Sequence, residues 1–120
     1  MTWNLFIDDE RTLQQVDWMD RDIQVKYQTE EFLIARNHQQ VIDLIEEHGF
    51  PNFVSFDHDL GDPVVNGDGY MIAKYLVDLD MCAKYKMPDD FDYCVHSKNP
   101  IGKLNIQGYL DGYRKHRQDN

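Results

Sequence analysis

Four short apolar runs, separated by stretches long enough for a helix, are the feature that most limits how this chain can fold. The runs are WNLFI (3–7), FLIA (32–35), NFVSF (52–56) and FDYCV (91–95). Runs of this length are typical of strands buried on both faces. Strands that alternate with helices imply βαβ crossovers. We therefore predict an α/β domain in three layers, with a mainly parallel sheet of four to five strands and helices on both faces.

Two stretches between these runs, and one after the last run, have the spacing of an amphipathic helix. The residues that share one face are Val41, Leu44, Ile45 and His48; then Ile72, Ala73, Leu76 and Leu79; then Ile106, Tyr109, Leu110 and Tyr113. Asn37 is placed to cap the first helix, and Gly49 to end it. We expect the second helix to run to about Lys84. The third ends in a basic stretch, 114–117, that suits the negative end of a helix dipole.

Residues 12–30 are the least regular part of the pattern. No clean period is present in 12–21, whereas DIQVKYQ (22–28) alternates Ile23, Val25 and Tyr27 with polar residues. This alternation predicts an edge strand or a hairpin arm. We treat 12–30 as a variable insertion that forms a lid, a hairpin or a partner contact within a single domain spanning 1–120. GDPVVNGDG (61–69) reads as a turn-rich loop.

Composition excludes several classes of protein. A chain of 120 residues suits one domain. Its net charge of −10 argues against binding along a nucleic-acid backbone. That charge is compatible with a phosphate ligand in one cleft, where a divalent cation reverses the local sign. No apolar run approaches a membrane span, and Cys82 and Cys94 lack the spacing of a disulfide framework or a zinc knuckle, so we expect a cytoplasmic protein.

Polar clusters follow three of the four predicted strands. They occupy Asp8 to Arg11, Asp57 to Asp62, and His96 to Gly102. Ligands of parallel α/β sheets bind outside the carboxyl ends of the strands. We therefore expect the three clusters to converge on one edge of the sheet and to form a site there.

The carboxylates of this edge predict a divalent cation. Asp8, Asp9 and Asp57 would lie close enough to repel one another if their strands are neighbours. Mg²⁺ or Mn²⁺ would offset the repulsion, because hard cations take oxygen ligands. The alternative is that each aspartate caps a helix or a loop in solvent. Three together at strand ends favour a site.

Two histidines belong to the same predicted edge. His58 and His96 can exchange protons near neutral pH, with Asp59 orienting one of them, and Asp57 joins them as a catalytic candidate. They can also complete a transition-metal site, since imidazole combines with carboxylate around Mn²⁺, Fe²⁺ or Zn²⁺. A single histidine is more often a hydrogen-bonded structural residue, but two on one edge favour a functional role.

The segment HSKNPIGKLNI (96–106) has the character of an anion cradle. A helix N-terminus offers free amides, and polar side chains surround it. Those side chains are Ser97, Lys98, Asn99, Lys103 and Asn105. Arg11 can add a bidentate contact to a phosphate. Asn99 followed by Pro100 is also an ordinary helix start, and that role is compatible with phosphate binding.

Four motifs in this order resemble the cyclic-phosphate processing receiver-like domains of bacteria and phages. They are LFIDDER, VSFDHDLGD, GDGY and VHSKNPIGKLNI. The resemblance as a whole covers residues 3–11 and about 32–113. The resemblance implies a receiver-like (flavodoxin-like) fold with strand order 2-1-3-4. It also implies a role on cyclic phosphate groups in RNA repair or nucleotide signalling, in the cytoplasm of a bacterial or phage-infected cell.

The resemblance also assigns residues. Asp8 and Asp9 look like the acidic pair after a receiver's first strand, Asp57 like its phosphoacceptor, and Ser97 like its hydroxyl residue. A receiver has a fifth strand that ends in a lysine, whereas nothing after residue 95 reads as a strand. This departure, with the additional His58, His96 and Arg11, points away from phosphorelay and toward catalysis or ligand binding.

The first hypothesis is a metal-dependent phosphoesterase that acts on a small nucleotide or an RNA 3′ end bearing a cyclic phosphate. Asp8, Asp9 and Asp57 would hold Mg²⁺ or Mn²⁺, and His58 and His96 would exchange protons. Phosphate would be held by Arg11, Ser97, Asn99 and Lys103. The alternatives are a module that captures a cyclic nucleotide without turnover, as a sensor or a phage sponge does, a phosphoswitch at Asp57, and a structural partner protein.

Overall fold

A four-stranded parallel sheet forms the centre of the protein in the computed structural model, which describes residues 2–119. The strands are β1 (Asn4–Ile7), β2 (Phe32–Ala35), β3 (Phe53–Phe56) and β4 (Asp92–Val95), in the order β2-β1-β3-β4. The four strands, their order and the receiver-like fold class predicted from the sequence are confirmed. Within residues 2–119 no strand follows β4.

Five α-helices surround the sheet within the described residues. They are α1 (Arg21–Thr29), α2 (His38–His48), α3 (Pro63–Asn66), α4 (Gly69–Met81) and α5 (Pro100–Asp119), and a short 3-10 helix covers Leu13–Gln15. The predicted cap of α2 is present, since the Asn37 side chain accepts a hydrogen bond from the backbone N–H of Gln40 at 2.9 Å. α4 ends at Met81 rather than near Lys84, and the predicted loop 61–69 contains α3.

The handedness of βαβ units decides which face each helix covers. Right-handed crossovers are nearly universal. The chain leaves β1 toward β2 in one direction, and then moves from β2 to β3 and from β3 to β4 in the opposite direction. α1 therefore packs on one face, and α2 and α4 on the other, where α5 joins them. Ligands bind where the strand order reverses, which here is the gap between β1 and β3.

The prediction of an edge strand or hairpin arm at 22–28 is wrong, because this segment lies in α1. Ile23 and Tyr27 are four residues apart and so share one face of the helix, and both pack against Phe6 of β1 and its neighbours. Val25 is 47% exposed, whereas in a strand it would face the same side as they do. Ile23 and Tyr27 fit the alternation of a strand, but they also have the i, i+4 spacing of a helix.

The two faces of the sheet bury separate apolar clusters. The larger one joins the sheet to α2, α4 and α5, and its fully buried members include Leu5, Val54, Phe56 and Leu76. The smaller lies under α1 and contains Phe6, Val16 and Tyr27. Each fully buried side chain of this kind contributes about 1.5–3 kcal/mol. The 12–30 segment is therefore part of the core packing.

Cys82 and Cys94 are both free thiols. Among the helices of the described part of the chain, none combines the length and the apolar character needed to cross a bilayer.

Among the glycines, Gly69 is the one that packs most closely against another part of the backbone. A Cβ there would collide with the carbonyl oxygen of Asp57, and backbone atoms cannot move aside cheaply. We predict that Gly69→Ala lowers the free energy of unfolding by about 1–3 kcal/mol, because the overlap outweighs the gain in helix propensity. Urea denaturation measures the change.

Gly108→Ala is the matched control. Gly108 lies in α5 with nothing within 4 Å of the added methyl, so the substitution should raise stability by about 0.5–1 kcal/mol. Equal effects of the two substitutions would contradict the packing described around Gly69.

Candidate functional site

The hydrogen-bond ladder of the sheet extends one residue beyond each strand and brings three polar side chains together. The N–H of Asp57 donates to Ile7 at 2.9 Å, and the N–H of His96 donates to Phe56 at 2.9 Å. Asp8, Asp57 and His96 therefore stand side by side at the carboxyl edge of β1, β3 and β4. One oxygen or nitrogen from each lies within 4.8 Å of the others.

Asp8 is a buried carboxylate that is well supplied with hydrogen bonds. Its Oδ1 accepts from the backbone N–H groups of Glu10 at 2.9 Å and Arg11 at 2.8 Å. Its Oδ2 lies 3.0 Å from His96 Nε2 and 3.5 Å from the Arg11 guanidinium. Burial opposes ionisation, but the bonds from His96 and the two N–H groups outweigh it and lower the pKa of Asp8 to about 2.

The pKa of Asp57 shifts in the opposite direction. Burial, followed by the negative charge of Asp8, raises the pKa of Asp57 above its ordinary value. His96, the backbone N–H of His58 and the Ser97 hydroxyl counteract this in part. Asp57 is only 5% exposed. The edge of the sheet thus holds two adjacent carboxylates, of which one is stabilised as an anion and the other is not.

A chain of buried hydrogen bonds continues from Asp8 into the protein. His96 Nδ1 lies 2.7 Å from the Ser55 hydroxyl, which lies 2.6 Å from the Tyr27 hydroxyl. Ser55 and His96 are both fully buried, and the His96 ring stacks on Phe6 with centroids 4.6 Å apart. The chain links α1 to the ends of β1, β3 and β4.

The chemistry of the carboxylate fixes the direction of the bond between His96 and Asp8. A carboxylate only accepts, so Nε2 of His96 carries the hydrogen toward Asp8. Nδ1 of the same ring is paired with the Ser55 hydroxyl, which is paired in turn with the Tyr27 hydroxyl. Both nitrogens of His96 are therefore engaged within the protein. In this arrangement His96 orients Asp8 from behind.

A pocket of about 510 Å³ opens at this edge of the sheet. Its walls are formed by Asp8, Asp9, Glu10, Arg11, Asp57, Asp59, Gly61, Ser97, Lys98, Asn99 and Pro100. Seven of the residues proposed from the sequence are among them. The three strand-end clusters therefore meet in one concave surface.

Three of the proposed residues do not line the pocket. His96 lies behind Asp8. His58 lies beside the pocket, with its ring against Gly102 at the start of α5 and its Nδ1 3.0 Å from Asp59 Oδ1. Lys103, on the first turns of α5, is absent from the pocket walls.

Asn99 joins two parts of the pocket. Its side-chain oxygen accepts from the N–H of Gly102 at 3.0 Å and so caps α5, as predicted. Its amide nitrogen donates to Asp59 at 3.2 Å. The hydrogen bond from His58 has the largest effect on the pKa of Asp59 and lowers it. The bond from Asn99 lowers it further, whereas partial burial acts in the opposite direction. The end of β3 and the start of α5 are thereby fastened together.

Sequence reasoning gave no role to several residues that hold the site together. Ser55 and Tyr27 form the buried chain behind His96, and the Trp18 indole N–H donates to the His96 carbonyl at 2.8 Å. Arg36 fixes the turn after β1 by donating to the carbonyls of Asp8 at 3.0 Å and Arg11 at 2.6 Å. One signal was available, since Ser55 is the only polar residue within the buried strand β3.

The donor set of the pocket suits a hard cation. Five carboxylates face it, against the two cationic side chains Arg11 and Lys98. Asp8 and Asp57 offer adjacent oxygens, and Asp9 lines the same pocket. Mg²⁺ and Mn²⁺ take such ligands. The imidazole of His96 is in reach of the same point but is already bonded at both nitrogens, so the carboxylates fit the cation better.

A larger pocket, of about 880 Å³, lies at the opposite edge of the sheet. Its walls come from the amino ends of the strands and include Trp3, Asn4, Lys26 and Phe53. It contains none of the residues proposed from the sequence. The smaller pocket is the better candidate, because the strand order reverses there and three of its carboxylates, Asp8, Asp57 and Asp59, have shifted pKa values, whereas in the larger pocket only Glu30 has one among the described residues.

Comparison with known families identifies one match. The model of the family described as the cyclic-phosphate processing receiver domain matches residues 3–112. This span includes every residue of the candidate pocket and also the 12–30 segment. No curated protein and no solved structure matches the chain. The family predicted from the four motifs is thereby confirmed.

The raised pKa of Asp57 leads to a prediction about stability. Its ionised form is disfavoured in the folded state, so stability is lost as the pH rises through the raised pKa. We predict that Asp57→Asn raises the free energy of unfolding at pH 7 by on the order of 1 kcal/mol. The gain should shrink as the pH falls and the wild-type carboxyl takes up a proton. Urea denaturation in EDTA at several pH values measures both effects.

Asp8→Asn should have the opposite effect. The pKa of Asp8 falls from 3.8 to about 2 on folding, so its contribution is present above pH 3.8 and is lost as the pH falls toward 2. We predict a loss of about 2 kcal/mol at pH 7 in the same titration. Stabilisation by Asp8→Asn at neutral pH would contradict the hydrogen bonds described for this carboxylate.

Proposed function

We propose, on the premise that this chain belongs to the cyclic-phosphate processing receiver domain family, that its pocket hydrolyses a cyclic phosphate with the help of a divalent cation. The substrate would be an RNA 3′ end or a small nucleotide that carries the cyclic phosphate. The observation that carries the proposal is the meeting of Asp8 and Asp57 with the polar start of α5 in one pocket. Ligands with phosphate groups suit such edges of parallel sheets.

Asp8 and Asp57 are proposed to hold the cation, with Asp9 beside them. Their adjacency supports this, because within the described residues Asp57 forms no ion pair with Lys or Arg, and burial followed by the charge of Asp8 raises its pKa. A bound Mg²⁺ or Mn²⁺ would withdraw charge from the phosphate and favour attack by water. His96 is proposed as a positioning residue, since it holds Asp8 through Nε2 and does not line the pocket.

Ser97, Asn99 and Arg11 are proposed to hold the phosphate. All three line the pocket. The Ser97 hydroxyl accepts from the N–H of Asn99 at 3.1 Å and is also hydrogen-bonded to Asp57, so it lies between the proposed cation ligands and the start of α5. Lys103 would act only at a distance, through its charge.

Hydrolysis of the ring needs two proton movements. Water adds to phosphorus and gives up a proton, one ring oxygen leaves and gains a proton, and a phosphomonoester results. We assign this exchange to the pair of Asp59 and His58. Asp59 lines the pocket, and His58 is bonded to it at 3.0 Å. Histidine is the side-chain type that most readily gains and loses a proton near neutral pH.

One observation favours capture without turnover as a second function. Neither histidine lines the pocket, so no imidazole directly faces a ligand there. In that case the same residues would bind the cyclic phosphate and its cation and release the ligand unchanged. The metal and phosphate roles are the same in both functions. They differ only in whether the phosphate ring opens.

A panel of substrates tests the proposal. Purified protein with Mg²⁺ or Mn²⁺ should open 2′,3′-cyclic-ended RNA, a 2′,3′-cyclic nucleotide or a 3′,5′-cyclic nucleotide, read by chromatography of the products. Asp57→Ala should lose both Mn²⁺ binding, read by electron paramagnetic resonance, and turnover. His58→Gln should keep Mn²⁺ binding and lose turnover by about 100-fold or more.

Asp78→Asn is the matched control, since Asp78 is an exposed carboxylate on α4 outside the pocket. It should behave as the wild type does. Recovery of bound ligand unchanged after denaturation, with no product at any time, would replace hydrolysis by capture. Failure of the wild type both to bind and to open every member of the panel would remove both functions.

A further inference from the structure

Trp18 lies at the candidate pocket with two cations against its ring. The Arg11 guanidinium carbon is 5.1 Å from the ring centroid, and the Lys98 ammonium is 4.2 Å from it. Cations at these distances are attracted by the negative face of an indole. Both Arg11 and Lys98 also line the pocket. The only two cationic side chains in the described pocket walls therefore both contact one half-buried aromatic ring.

The two cations reach the pocket from different strands. Arg11 follows β1 and Lys98 follows β4, and in the sheet these strands flank β3, which delivers Asp57. The Trp18 indole N–H donates to the carbonyl of His96, two residues before Lys98, at 2.8 Å. Trp18 thus ties the segment after β1 to the segment after β4 across the end of β3.

We propose that Trp18 is the positioning residue of a two-cation phosphate clamp whose arms are Arg11 and Lys98. The ligand class is a phosphate group, either a monoester or a diester. The inference deepens the proposed function and rests on it only in requiring that the ligand carry phosphate. Lys98 is a phosphate-contacting residue in this clamp, and Trp18 acts through the two cations.

The charge of the pocket explains why such a clamp is needed. Five carboxylates line the walls, and an anionic ligand would be repelled by them. Arg11 is partly occupied by Asp8, at 3.5 Å. Among the side chains described, those of residues 2–118, Lys98 has no carboxylate within 4.0 Å, and its own side chain is exposed. An ammonium held against a ring beside a pocket, with no anionic partner, is available to a phosphate.

Phosphate affinity tests the clamp without any turnover. Calorimetry with inorganic phosphate in the presence of Mg²⁺ gives the dissociation constant of the wild type. Lys98→Gln should weaken binding about tenfold, as expected for a lost charge-assisted hydrogen bond. Trp18→Leu should weaken it to a similar degree. In the double variant the two losses should not add, because they report one interaction.

Lys74→Gln is the matched control, because Lys74 lies 4.8 Å over the ring of Tyr70 outside the pocket. It removes the same kind of contact and should leave phosphate affinity unchanged. Trp18→Phe keeps a ring and removes the N–H, so it should give an intermediate affinity even if Trp18→Leu fails to fold. Wild-type affinity in Lys98→Gln, or full additivity in the double variant, overturns the clamp.

The outcomes separate this inference from the proposed function. Phosphate binding that depends on Lys98 and Trp18, without opening of any cyclic phosphate, supports the clamp and removes hydrolysis. Turnover with unchanged KM and unchanged phosphate affinity in Lys98→Gln and Trp18→Phe supports hydrolysis and removes the clamp. Loss of affinity in Lys74→Gln equal to that in Lys98→Gln also removes it, because the effect would then be one of overall charge.

Discussion

The placement of two carboxylates at adjacent strand ends is the constraint on which the rest of the structure depends. Asp8 and Asp57 follow strands that are hydrogen-bonded neighbours, so the sheet forces them together. Water screens their charges from each other only weakly, because both side chains are buried. The arrangement is asymmetric: Asp8 accepts the hydrogen bond from His96, whereas ionisation of Asp57 remains unfavourable and its pKa is raised. A cation beside the two carboxylates, or a proton on Asp57, would remove this electrostatic cost.

The 12–30 segment has a structural part in that arrangement. It supplies Tyr27 to the buried hydrogen-bond chain and Val16 to the cluster beneath α1. It also supplies Trp18, which bonds to the backbone at His96. Without α1 the face of the sheet on which the His96 ring lies against Phe6 and Ser55 would be open to water, and the bond between His96 and Asp8 would lose the low-dielectric setting that strengthens it.

The sequence predicts the sheet well and the buried polar network poorly, for physical reasons. Short apolar runs and strand-end carboxylates are local patterns, so the strands and the convergence of Asp8 and Asp57 on one edge could be inferred from them, whereas the strand order was implied by the family resemblance. A contact such as Ser55 with His96 joins residues 41 positions apart and leaves no periodic trace. The error at 22–28 arose because Ile23 and Tyr27 satisfy both a period of two and a helical spacing of four. His96 was expected to face a ligand, whereas its register on the α1 side of the sheet places it behind Asp8.

The charges of the pocket imply that cation and phosphate binding, as proposed, would depend on each other. A phosphate that enters the pocket alone would meet five carboxylates and two cationic side chains, so the repulsive contribution would be the larger. A divalent cation at Asp8 and Asp57 would reverse the sign there, while Arg11 and Lys98 already carry positive charge on either side of β3. Each ligand would therefore raise the affinity for the other by the same factor, as linkage requires. In the proposed arrangement an acidic protein would hold a phosphate between a cation at Asp8 and Asp57 and the cationic side chains of the pocket walls.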